Sequence, residues 1–131
     1  MLIWRRSPLL SASFEEEQSG LEVDWRPDLD VFELPHEYLL SISLPGVRAE
    51  DVDVTVLDRT MTVSGERKAG IPDQAVAHLI ESPRGRFVRR VRLPAHSDIS
   101  GIRMQMADGQ LLVQVPKVPP RSVRVRVTRG R

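Results

Sequence analysis

The residues that could do chemistry in this chain are few, and their spacing serves none of the common reactions. Three histidines, His36, His78 and His96, are scattered, and no two stand at metal-ligand spacing. His36 and His96 sit beside turn-forming residues and read as exposed loop histidines. His78 falls in a short apolar run, and the sequence names no partner for it. Ser64 before Gly65 and Ser82 before Pro83 lack the frame of a nucleophile elbow. The stretch "SGERKAG" has two glycines but not the Lys-Ser/Thr pair of a phosphate-cradling loop, so nothing supports an ATP-driven activity. Asp51 and Asp53 share one face of a strand pattern, where like charges more often meet solvent than perform acid–base chemistry. The chain has no cysteine, which excludes a disulfide framework, a thiolate metal site and a cysteine nucleophile. The expectation is a protein without catalytic residues, cofactor or metal.

The charge balance narrows the partners. Nineteen Lys and Arg against 18 Asp and Glu leave a net charge of +1, so no global field recruits nucleic acid or an anionic membrane. Arg84, Arg86, Arg89, Arg90 and Arg92 surround a single aromatic, Phe87, and lack the stacking platform that a nucleic-acid strand needs. Ion pairing within the protein explains them better. Five further arginines, from Arg121 to Arg131, are interleaved with valines that phosphate binding would not use. No segment approaches the about 18 apolar residues of a membrane span. Arg5 and Arg6 are not followed by the apolar run of an export signal, and the lack of cysteine fits a reducing compartment. The cytoplasm is the expected location.

The elements that would carry any site are strands. From Arg26 to Lys117 short alternating runs recur with turn residues between them, the pattern of an all-β sandwich or barrel. "EYLLSISL" puts Tyr38, Leu40, Ile42 and Leu44 on one face, and Pro45-Gly46 ends it. "DVDVTVLD" alternates Val52, Val54 and Val56, and Asp58-Arg59 connects tightly into "TMTVSGE" with Met61 and Val63 aligned. "GRFVRRVRLP" sets Phe87, Val91 and Leu93 on one side. "GIRMQM" and "QLLVQVP" are joined through Asp108-Gly109, a strong hairpin signal. The connection from Glu66 to Arg84 is too long for a compact hairpin, and Val76 to Ile80 within it reads as an element of its own. Residues 1–26 have sticky side chains without a sustained period. Beyond Pro119-Pro120, Val123, Val125 and Val127 alternate with arginines as a half-buried strand would, outside anything that reads as a domain.

Several ordered motifs carry a family likeness. "WRPDLDVFEL", "SLPGVRAEDVDVTVLDRTMTVSGERK", "RGRFVRRVRLP" and "MADGQLLVQVPK" together resemble the α-crystallin domain of the small heat shock proteins (Hsp20), in its bacterial and plant form. The resemblance covers about Trp25 to Lys117. The family hairpin A-x-x-x-N-G-V-L is matched by Met104 through Leu111 as M-x-x-x-D-G-Q-L, with a larger side chain at Met104 and aspartate in the turn.

The resemblance implies an immunoglobulin-like β-sandwich at 27–117, a flexible N-terminal arm at 1–26 and a C-terminal extension at 118–131. It implies that the long loop, through Val76, His78 and Ile80, exchanges into a neighbouring subunit. By the pattern F-x-R-x-x-x-L-P, Arg89 falls on the family's interface arginine. It implies too that Val123-Arg124-Val125 is the family's tail motif, with Val125 and Val127 a second register. The expected acceptor is an apolar groove on another subunit, between Val52, Val54 and Val56 and Ile102, Met104 and Met106. The function so implied is that of a holdase, assembling from dimers into larger homo-oligomers and binding non-native client proteins without ATP. Leu2, Ile3, Trp4, Leu9, Leu10 and Phe14 are the candidate client contacts, with packing of the arm against the body as the other role open to them. A co-chaperone or adaptor module of similar sandwich fold is the alternative.

Overall fold

The computed structural model describes residues 14–16, 23–68, 70–119 and 122–130. Eight strands are described: β1 Glu15–Glu16, β2 Leu29–Glu33, β3 Glu37–Ser43, β4 Val52–Leu57, β5 Thr60–Arg67, β6 Gly85–Arg92, β7 Arg103–Ala107 and β8 Gln110–Pro116. They form two antiparallel four-stranded sheets, ordered β1-β6-β5-β4 and β2-β3-β8-β7. Two short 3-10 turns, Ala49–Asp51 and Ile99–Gly101, lead into β4 and β7. The all-β expectation is met, as a sandwich.

Period-two patterning places the core. Tyr38, Leu40 and Ile42 of β3 are buried with Val113, Val115 and Leu111 of β8 from one sheet, against Met61, Val63, Phe87 and Val91 from the other. Leu44 and Leu93 extend this layer just past the ends of their strands. Removing each such side chain from water contributes roughly 1.5–3 kcal/mol before ordering costs.

Turn chemistry fixes the register. Asp58 and Arg59, between β4 and β5, both have positive φ (47° and 67°), as do Asp108 and Gly109 between β7 and β8 (51° and 73°). Two left-handed residues are what a two-residue type I′ hairpin requires, and its twist suits the flanking strands. The second hairpin carries the favoured Asp-Gly pair. In the first, Arg59 holds the left-handed position despite its Cβ.

Two elements depart from the sequence reading. β1 is only two residues long, pairs with Arg92 and Val91 of β6, and lies in a segment whose sequence has no period. The run Val76 to Ile80 forms no strand within the chain, and every described residue from Gly70 to Pro83 is exposed.

Candidate functional site

Exposed apolar side chains gather in two segments, the tail and the long loop. Val123, Val125 and Val127 are 76%, 77% and 92% exposed, in a segment with no strand partner among the described residues. Val76, Leu79 and Ile80 are likewise exposed, with His78 between them. Charged neighbours keep such segments in solution, but an alternating valine run gains nothing from solvent.

Their possible acceptors are sheet edges. Val52, Val54 and Val56 pair with Gly65, Val63 and Met61, so they line the inner face of β4, the edge of its sheet. Met104 and Met106 pair with Val113 and Leu111 and line the inner face of β7, the edge of the other sheet, while Ile102 immediately precedes that strand. All of these except Met104 are partly buried against the core; Met104 is exposed. The two edges lie on the same side of the sandwich. At the opposite side Phe14 packs on Tyr38 of β3, and Arg89 of β6 reaches Pro27 at the approach to β2, which stacks β1 and β6 over β2 and β3. The remaining edges, β4 and β7, therefore flank an incompletely covered apolar margin. Of the six groove residues expected from the sequence, five are partly buried along these two edges and Met104 is exposed.

Arg89 is the surprise of β6. It lies opposite Val63 and between Phe87 and Val91, on the inward face, where its Nη1 donates to the Pro27 carbonyl at 2.7 Å. The structure thus gives the expected interface arginine a bond inside its own chain. This position lies in the layer between the sheets, half-buried.

Phe14 also finds a role within the body. Its ring stands edge-on to Tyr38 at 5.3 Å and packs against the core, so of the two roles open to it, the structure displays arm-to-body packing. The other candidate client contacts, Leu2, Ile3, Trp4, Leu9 and Leu10, lie outside the described residues.

Tyr38 itself was legible only as a core residue. Its hydroxyl lies 2.5 Å from Nε2 of His96, and the Lys117 ammonium sits 4.9 Å above its ring while bonding Glu33 at 3.0 Å. Burial, and secondarily the nearby Glu33 carboxylate, raises the tyrosine pKa above its ordinary value. His96 is exposed, as a loop histidine should be, but it is not idle: its ring anchors the one buried phenol. Among the described residues no group of three or more His, Asp or Glu could hold a metal ion.

Residues 30–128 match the profile of the Hsp20/alpha crystallin family. The chain belongs to that family. An 18.2 kDa class I heat shock protein of Medicago sativa is 36% identical over 113 residues, covering 82% of this chain and 68% of the relative. An 18.1 kDa class I heat shock protein of the same plant is 34% identical over 116 residues, covering 85% and 77%. Among solved structures, a small heat-shock protein from Xylella fastidiosa, described as having a distinct high order structure, is 31% identical with a TM-score of 0.73 over 82% of this chain and 99% of that one. Small heat shock proteins are non-enzymatic chaperones, and this sets the class of function for the Hsp20 chain described above.

Proposed function

We propose that this Hsp20 protein is an ATP-independent holdase that captures partly unfolded proteins and keeps them from aggregating. The observation that carries the reading is the coexistence, in one chain of this family, of exposed alternating valines in the tail and partly buried apolar residues along the unpaired edge strands β4 and β7. A protein that binds only non-native chains suppresses aggregation by mass action, and no catalytic residue is needed.

The division of labour follows the sequence. The domain at 27–117 supplies the sandwich apart from β1, which the arm contributes. The loop through Val76, His78 and Ile80, together with Arg89, forms a strand-exchanged dimer. The extension at 118–131 places Val123 and Val125, or Val125 and Val127, in the β4–β7 margin of another subunit, building a larger homo-oligomer. The arm at 1–26 offers Leu2, Ile3, Trp4, Leu9 and Leu10 to clients, since flexible apolar groups adapt to many partners. The setting is the cytoplasm, with neither nucleic acid nor membrane as partner; no helix among the described residues is long and apolar enough to cross a membrane.

The test is a heat-labile client held at its unfolding temperature with no nucleotide present. Sub-stoichiometric to equimolar protein should keep the client soluble, and added ATP should change nothing directly. A requirement for ATP overturns the reading. A native mass equal to one subunit, with no protection of the client, would point instead to the adaptor module.

A further inference from the structure

We propose that Tyr38 ties the root of the N-terminal arm to the root of the C-terminal tail, so that releasing either one loosens the other. The warrant is a convergence of three chain segments on one side chain. From the arm, the Phe14 ring meets the Tyr38 ring edge-on at 5.3 Å, and the next two residues pair with β6. From the connection after β6, His96 bonds the Tyr38 hydroxyl and tilts its ring against the phenol at a centroid distance of 5.6 Å. From the end of β8, Lys117 places its ammonium over the same ring and anchors it on Glu33.

The tail root is then held by the very loop that Tyr38 holds. The Val118 amide donates to the His96 carbonyl at 2.7 Å, the Lys117 amide donates to the His36 carbonyl at 2.9 Å, and Ser97 forms a bridge with Lys117. Pro119 follows at once, lacking an amide hydrogen and fixing its own φ, so among the described residues Val118 is the last of the tail root whose amide the body holds. Tyr38 is fully buried, and these neighbours are among the groups that cover it. When Phe14 leaves, one side of the ring is wetted, and the contacts to His96 and Lys117 lose the dry surroundings that strengthen them. Weakening the His96 loop removes the acceptor of the Val118 amide. By linkage the converse must hold: a tail root pulled out of place weakens the seat of Phe14. An event at the arm is thereby read at the point where the tail departs, whatever the arm and the tail each bind.

Hydrogen exchange on the full chain tests this, with the Val118 amide as readout and the Val63 amide, in the centre of its sheet, as reference for global opening. Phe14→Ala should accelerate exchange at Val118 by at least about fivefold relative to Val63, the lower end of ordinary coupling between sites. From the other side, His96→Ala should accelerate exchange across residues 14–16 by a similar factor. If Phe14→Ala opens the whole sandwich, Phe14→Leu keeps an apolar group there and removes the edge-on ring, and should move Val118 in the same direction by less. Tyr38→Phe keeps the ring but removes the hydroxyl's bond to His96; in that background Phe14→Ala should leave Val118 nearly unmoved beyond the new baseline. Exchange at residues 14–16 that rises in both Phe14 variants while the Val118 to Val63 ratio stays at the wild-type value overturns the proposal, because the two roots are then independent.

Discussion

Gly65 lies directly beneath Asp51: a Cβ on this glycine would stand 2.2 Å from the Asp51 carbonyl oxygen and 2.9 Å from Cζ of Phe87. The glycine of "SGERK" is thus a spacer that lets the Ala49–Asp51 turn and the Phe87 ring close on β5. The obstructing oxygen is backbone, so it cannot swing aside. Gly65→Ala is expected to destabilise the sandwich by about 2–3 kcal/mol, as overpacking of a filled core does. A urea midpoint unchanged by the substitution would mean that the strands can part at no cost.

The raised pKa of Tyr38 makes stability depend on alkaline pH. Burial, then Glu33, disfavours the phenolate in the folded state, so the folded protein holds the proton to higher pH than the unfolded chain, whose tyrosine titrates near about 10. Stability is therefore whole below that value and is lost as pH rises through the raised folded value. Tyr38 is the chain's single tyrosine, so phenolate absorbance follows this group alone. Its midpoint is expected above the ordinary value in the native protein and at the ordinary value in urea. Tyr38→Phe should flatten the alkaline decline; equal midpoints in both states would contradict it.

Arg89→Gly separates two roles for one arginine. A bond from a charged donor to the Pro27 carbonyl is worth roughly 1.5–3 kcal/mol, and its loss lowers stability equally at every protein concentration. Loss of a buried ion-pair partner at a dimer interface costs about 3–5 kcal/mol and makes the defect worse on dilution. The contact to Pro27 predicts a concentration-independent component, read as a fall in urea midpoint that persists at the lowest concentration measurable. Complete recovery at high concentration would assign Arg89 to the interface alone.

What was legible in the sequence was what the chain decides locally. Val52, Val54 and Val56 alternate, and Asp108-Gly109 supplies its own left-handed residues, so strand and turn were readable. Parity also puts Arg89 on the same face as Phe87 and Val91, where ion pairing and, by resemblance, an interface were expected of it; its bond to the Pro27 carbonyl was not readable because that partner is 62 residues away. β1 was unreadable because two residues carry no period; its pairing with Arg92 and Val91 is a tertiary choice. His96 gave no sign because its partner, Tyr38, is 58 residues away.

Deleting Gln74 to Ile80 tests the long loop. The residues left between Arg67 and Gly85 still exceed the few that a hairpin needs, so β5 and β6 can keep their pairing. The sandwich should stay folded by circular dichroism while the dimer gives way to monomers or misassembled species, because the run that another subunit's edge would accept is gone. A dimer of unchanged mass would place the interface elsewhere.

The tail offers the sharpest test because its three valines are not equivalent. They repeat every second residue, so Val123, Val125 and Val127 share one face of an extended chain, with Arg124 and Arg126 on the other. A margin that accepts two knobs can take Val123 with Val125 or Val125 with Val127. Val125 is common to both registers. Val123→Ala or Val127→Ala leaves the other register intact and should weaken assembly little, whereas Val125→Ala damages both. A buried valine is worth about 1.5–3 kcal/mol at best, so one tail holds weakly and only many tails together hold firmly. Changing all three to Ala should reduce the native assembly to dimers with the sandwich still folded. Light scattering should rank the variants with Val125→Ala the worst of the single changes; equal losses at all three positions would mean that all three valines are seated at once and not in two alternative registers, and an unchanged mass in the triple variant would mean that the tail is not read at all.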